Sequence, residues 1–333
     1  MMDITDCRDL PSLQAVLFMI IFLQSSAKLA TCYSYIGIAL FSAVRMGLHR
    51  SISRNFNPIE QETRRRMFWT IRKMDIYVGA ILGLPIMLSD DEIDQELPQE
   101  VDDEFITPEK ILPMPPGRVS LIAASNAHTK LLKVLEKVAK YIYPIKGSKP
   151  AGSGIRKSHQ TYVVSHAKIR EIERELQEWM GNLPNELMPR EDVSPEFVRV
   201  QQLLRLAYAH IQMILYRPFL HYVSQSCRTG PVDQLSYACA AACVSVSRNI
   251  IHITAEMKKR GLLMGAYWFT MYSTFFGITS LVFYVFGDPN SSTSQDILKD
   301  AMEGKNILSS LANRSMAADR CSATLSVSQH IHI

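Results

Sequence analysis

The sequence predicts an all-α protein, a large single helical bundle of about eight or more helices with no significant sheet. Apolar residues recur at steps of three and four along almost the whole chain, and no segment alternates with the period of a half-buried strand. The periodic runs end at glycine or proline, where helices stop. With 333 residues, 47% of them hydrophobic and 20% charged, the chain can bury a sizeable core and is not a disordered polymer. One unit over residues 1–333 is expected, interrupted by an acidic loop at about 89–105 and a flexible loop at about 144–158.

The first element is the uncharged run Leu10 to Ala27. Asp3, Asp6 and Asp9 outnumber Arg8 before it, so it lacks the positive flank of a secretory signal and reads as a buried helix. Leu29 to Met46 reads as the second helix, ended by Gly47. The third opens at Asn57-Pro58-Ile59-Glu60, with Asn57 as N-cap, Pro58 at the first helical position and Glu60 placed as a capping-box acid. Met67, Ile71, Met74, Val78 and Ile81 then share one face, and Gly83 with Pro85 closes the helix.

Beyond Pro85 come nine acids, from Asp90 to Glu104, with no basic residue among them. Val119 to Tyr143 resumes a helical pattern, and a Gly/Ser/Pro stretch follows at 144–154. Tyr162, Ile169, Ile172, Leu176 and Trp179 form the next stripe. Phe197, Val200, Leu204, Ala207, Ile211 and Ile214 form another, ended by Pro218. Further helices are expected at Val232 to Arg260, Leu262 to Phe286 and Ser294 to Ala312. The stretch Gly261 to Gly287 has no charge, follows Lys258-Lys259-Arg260, and is long enough to span a bilayer. Hydroxyl residues in its middle fit a central buried helix equally, and both readings stand at this point.

Chemistry is scarce. The cysteines Cys7, Cys32, Cys227, Cys239, Cys243 and Cys321 include no closely spaced pair of the kind zinc sites use, so no metal site is expected. There is no G-x-S-x-G, no H-E-x-x-H and no phosphate-binding glycine loop, and no catalytic residue is expected. Asp90-Asp91-Glu92-Ile93-Asp94 imitates the aspartate-rich metal motif of an all-α enzyme but lies just past a Gly-x-Pro stop. The net charge of +4 is mild for a nucleic-acid binder. The only dense basic patch is Arg64-Arg65-Arg66 with Arg72 and Lys73. Consecutive arginines on a helix fan out instead of meeting one backbone, so pairing with the acidic segment is expected.

Those same residues carry a resemblance. Tyr35-Ile36-Gly37-Ile38-Ala39 with Gly47-Leu48-His49-Arg50 resembles the "Y-x-G-x-A … G-L-H-R" signature of the regulatory, or middle homology, region of fungal zinc-cluster transcription factors, closest to the xylanolytic-activator type. Glu62-Thr63-Arg64-Arg65-Arg66-Met67-Phe68-Trp69 with Asp75 resembles that family's "E-x-R-R-R-x-[FW]-W … D". Gly83-Leu84-Pro85, Ile93-Asp94, Leu97-Pro98, Leu215-Tyr216-Arg217-Pro218 and Cys239-Ala240-Ala241-Ala242 follow in the family's order. Phe41, Ile76 and Leu84 depart from its usual basic residues.

The resemblance implies a nuclear, non-enzymatic regulator whose bundle answers a small-molecule effector or a transcriptional coregulator. It also implies DNA contact only through a zinc-cluster module that holds the family's zinc and is absent from this chain, which would make the chain a fragment, a truncated gene model or a protein without its DNA-binding half. It favours burial of the Gly261–Gly287 helix over a membrane span, and leaves homodimerisation open. His49, Glu62, Arg65, Arg66, Trp69 and Asp75 are expected to tie adjacent helices together. Tyr267, Trp268, Tyr272 and Phe276, in the aromatic helix, are expected either as ligand-pocket material or as plain core.

Overall fold

The computed structural model describes residues 7–51, 56–143, 165–188, 195–223, 234–289 and 291–330. The expected linker at 144–158, Tyr162 and Cys227 lie outside them. Among the described residues there are ten α-helices and no strand, the only β-type pairing being an isolated bridge between Ile106 and Ile111.

Helices α1 (Leu10–Ser25) and α2 (Leu29–Arg45) form an antiparallel hairpin. Asp9 caps α1, accepting from Ser12 N at 2.8 Å, and Pro11 stands in its first turn. Ala27, at φ 57°, makes the tight reversal to α2. Only one side of α1 is covered. Leu13, Val16, Leu17 and Ile20 point inward, but Phe18 and Phe22 are 71% and 66% exposed, so α1 is less buried than its composition suggests.

Helix α3 (Pro58–Leu82) follows the caps read from the sequence: Asn57 Oδ1 accepts from Glu60 N at 2.9 Å, and Gly83 takes the left-handed conformation at φ 67°. It packs on α2 and on α4 (Leu121–Ile142). Because it has neighbours on several sides, it buries more than the expected stripe. Phe68, Trp69, Arg72, Asp75, Ile76 and Tyr77 are buried as well as Met67, Ile71 and Val78.

The second half is layered on α4. Helices α5 (His166–Gly181) and α6 (Pro195–Tyr216) pack against it, and α7 (Gln234–Lys259) packs on α6. Gly261, at φ 67°, ends α7, with Leu262 N donating to Met257 O at 2.8 Å. The chain then turns until α8 (Trp268–Gly287), which therefore starts six residues later than expected. So Gly261 to Gly287 is a turn followed by a helix, not one continuous span.

Helices α7 and α8 are each long and apolar enough to cross a membrane, yet half of the most apolar window of each is buried inside the bundle. Helix α8 lies among α7, α9 (Ser294–Leu311) and α10 (Met316–His330), whose side chains supply its apolar surroundings. The α10 helix was not evident in the sequence. Its buried residues Ala317, Ala318, Cys321 and Leu325 are mostly small, so their period carries little apolar signal.

Candidate functional site

The acidic segment after α3 is a strap laid across that helix. It runs from Ser89 through two short 3₁₀ turns, Asp90–Glu92 and Asp103–Phe105. The three consecutive arginines reach it, or its neighbours, in different directions, as their spacing around a helix requires. Arg64 donates to Met46 O at 2.8 Å, closing the end of α2. Arg65 pairs with Glu96, and Arg66 with Asp103 and, at 3.1 Å, with Val101 O.

Two neutral donors complete the strap. Trp69 Nε1 donates to Glu96 O at 2.8 Å, and Gln99 N donates to Glu62 Oε1 at 2.8 Å. His49 joins through its backbone: its carbonyl accepts from Asp94 N at 3.2 Å and Gln95 N at 3.1 Å. Its ring contacts only its neighbour, Nε2 standing 3.2 Å from Arg50 Nε, and burial holds the imidazole below its ordinary pKa. The acids of the Asp90–Asp94 motif point apart. Asp90 pairs with Lys133, Glu92 accepts from Ser89 N and Asp94 accepts from Ser51 N. They share no face on which a metal would sit.

Beneath the strap lies a charge triad that the sequence suggests only in part. Asp75 is fully buried and accepts from Arg72 Nη1 at 2.9 Å and from Met87 N at 3.2 Å. Arg72, 1% exposed, also reaches Glu136 on α4 at 2.6 Å. Arg72 and Asp75 are three residues apart on one helix, a spacing that could have flagged them; Glu136 had no local signal. Burial raises the carboxyls of Glu62, Asp75 and Glu136 above their usual range, against the opposing pull of the facing arginines and backbone N–H groups. Such a network is a weak source of net stability.

A second polar cluster interleaves with the triad on α3. Lys73 and Tyr77, four residues apart, face Ser125 and His128, three apart on α4. Lys73 Nζ donates to Ser125 Oγ at 2.7 Å, and the Tyr77 hydroxyl meets His128 Nε2 at 2.7 Å. Ser125 and His128 line a cleft of about 240 Å³ whose other walls are α6 and the start of α8. Sequence reasoning placed Lys73 in a basic patch and missed the rest, because the pairing depends on how α3 and α4 cross.

The aromatic residues expected as pocket material do not converge. Tyr267 lines this cleft. Trp268 packs edge-on against Tyr77 and Tyr272, while Phe276 lies beside His210 and under the Arg217 guanidinium. Successive residues of a helix point to different neighbours, so one run of aromatics serves several interfaces.

The described cysteines Cys7, Cys32, Cys239, Cys243 and Cys321 are buried. Cys239 and Cys243 share α7, and the others stand on separate elements. Burial pushes Cys32, Cys243 and Cys321 up to about 12, so they are thiols, not thiolate ligands. Among the described residues no three His, Cys, Asp or Glu side chains are grouped to hold a metal. These residues do not fit a zinc cluster.

Comparison with known proteins yields matches over most of the chain. The family profile described as "Fungal specific transcription factor domain" matches residues 2–181. The chain is 43% identical over 331 residues to "Activator of stress genes 1" of Saccharomyces cerevisiae, covering 96% of this chain and 33% of that protein. It is 38% identical to "Activator of stress genes protein 1" of Candida albicans, covering 96% and 36% respectively. It is also 30% identical over 262 residues to "Transcriptional activator protein acu-15" of Neurospora crassa, covering 75% and 25%. The chain thus spans about a third of the length of the curated relatives it matches. No solved structure matches.

Proposed function

The chain belongs to the family of fungal specific transcription factor domains, and from that membership we propose how it works. It is a regulatory domain that controls transcription in the nucleus by binding, with no reaction of its own. DNA contact is made through a zinc-cluster module carrying the family's zinc, which this chain does not contain. The all-α enzyme and the membrane-attached helix draw no support from the comparisons, whose relatives are named transcriptional regulators.

The observation that carries the mechanism is the strap-and-triad network on α3. Glu62, Arg65, Arg66, Trp69 and the His49 carbonyl hold the acidic strap, while Arg72, Asp75 and Glu136 lock α3 to α4. A regulatory domain needs two arrangements that an effector or coregulator binds unequally. Packed cores deform poorly, whereas a strap tied by hydrogen bonds and ion pairs is able to change partners. On this reading the network sets the resting arrangement, and an effector or a coregulator shifts it.

The test is a transcriptional assay with the chain fused to a foreign DNA-binding domain. Reporter output is expected to differ from that of the DNA-binding domain alone. Arg65→Ala combined with Arg66→Ala, which frees the strap, is expected to change that output while the fusion stays at wild-type abundance. An output indistinguishable from the DNA-binding domain alone would refute the regulatory reading, and an unchanged double variant would remove the strap from it.

A further inference from the structure

We propose that the cleft between α4, α6 and the start of α8 binds a small organic acid, its carboxylate held by Ser125 and Lys73 and its apolar body lying along α6. The proposal deepens the effector-sensing part of the function above and rests on it.

The first observation is a mismatch of charge along α3. Arg64, Arg65, Arg66 and Arg72 each meet a carboxylate. Lys73 is the exception. Half-buried, it is in no ion pair among the described residues, and its ammonium donates only to Ser125 Oγ. An ammonium withdrawn from water without an anionic partner costs free energy, and so invites one. It has two further donor positions beyond the bond to Ser125.

The second observation is the cleft itself, in which Ser125 and His128 are polar points in an otherwise apolar α4 wall with Leu121 and Ala124, and the α6 wall is apolar throughout. Ser125 and His128 stand on α4; Leu203 and Leu204 stand opposite on α6; Tyr267 and Phe269 close the end. The Tyr267 hydroxyl makes no hydrogen bond among the described residues. His128, engaged by Tyr77 at its Nε2, is kept neutral by burial and by the Lys73 charge, its pKa lowered to about 3. It therefore adds no second cation: the cleft's own lining is uncharged, and the one positive charge beside it is the Lys73 ammonium bonded to Ser125. A concave, mostly apolar wall with a few convergent polar groups is the usual make-up of a small-molecule site. One charge suits a monocarboxylate better than a phosphate ester, which calls for more donors.

The site is also placed to matter. Lys73 follows Arg72 on α3, and Ser125 stands on the same helix as Glu136. A ligand pulling on Lys73 and Ser125 acts on the α3–α4 crossing that the triad fixes, and so has the differential grip on two arrangements that an effector requires.

The test uses the purified chain with hexanoate and benzoate as probes, and hexanamide and benzamide as uncharged controls of the same shape, at constant ionic strength. The acids are expected to raise the Tm with the logarithm of their concentration, by about 4 °C at a hundredfold excess over Kd, and the amides to do much less. Lys73→Met should abolish the response to acids, and Leu203→Trp, which fills the apolar side, should abolish it independently. Equal responses to acids and amides, no concentration-dependent response to either acid, or an intact response in either variant overturns the proposal. The foreign-domain fusion keeps the two readings apart. A fusion that alters transcription but is blind to both acids overturns the site alone, whereas a fusion without effect on transcription sinks the regulatory reading whatever the acids do to the melting curve.

Discussion

Replacing Asp75 by alanine probes the triad most directly. Asp75 has no exposed surface. Its loss removes the 2.9 Å partner of Arg72 Nη1 and the acceptor of the Met87 N–H. Arg72, 1% exposed, would keep only Glu136. Breaking a buried pair from one side costs about 3–5 kcal/mol, because the remaining charge is left without compensation. Unfolding entropy of about 2.1 cal/mol/K per residue gives roughly 0.7 kcal/mol/K for a chain of 333 residues. The expected fall in Tm is therefore about 4–7 °C. Differential scanning calorimetry of wild type and Asp75→Ala measures it. A combined Arg72→Met, Asp75→Leu and Glu136→Gln variant should recover part of the loss, since it leaves no charge unpaired while the Met87 N–H still lacks its acceptor. A Tm for Asp75→Ala within about 1 °C of wild type would show that water or relaxation compensates Arg72, and the locking role would fall.

Three further outcomes follow from the same structure. His128 and His210 are held neutral by burial, each lowered to about 3; the unfolded chain takes up their protons near pH 6.5, so stability present above that pH is lost as the pH falls, by about 2 kcal/mol per histidine at pH 5. Neither ring nitrogen of His210 has a hydrogen-bond partner among the described residues, so His210→Leu should raise the Tm at pH 7 and remove about half of the drop between pH 7 and 5; a lower Tm at pH 7 would contradict this. Burial lowers the Lys73 ammonium to about 8; at this group the unfolded chain then holds more protons between that pH and the ordinary 10.5, while the raised thiols Cys32, Cys243 and Cys321 pull the other way, so the stability of wild type relative to Lys73→Met should rise across this window, as read from urea midpoints. Finally, a Cβ at Gly304 would stand 2.7 Å from Ile251 Cδ1 and 2.9 Å from Ile278 Cγ1, so Gly304→Val should destabilise by about 1–3 kcal/mol, whereas an unchanged denaturation midpoint would mean that α9 shifts freely on α7 and α8.

Local rules made part of this protein readable from its sequence. Asn57, Pro58 and Gly83 specify the ends of α3 because capping and left-handed backbone depend on neighbours within one turn. The divergence of Arg64, Arg65 and Arg66 follows from helical geometry, and the pairing of Arg65 and Arg66 with the acidic segment follows from opposite charge close in sequence. The late start of α8 was less legible, since an apolar run does not reveal that Gly261 turns the chain before Trp268. What only the tertiary structure decided is what crosses between helices distant in sequence. Glu136 completing the triad, Ser125 and His128 meeting Lys73 and Tyr77, and the scattering of Tyr267, Trp268 and Phe276 to different neighbours all depend on crossing angles and on which side of each helix is covered. Those are set by packing of the whole core, to which every helix contributes and which no single stretch of sequence encodes.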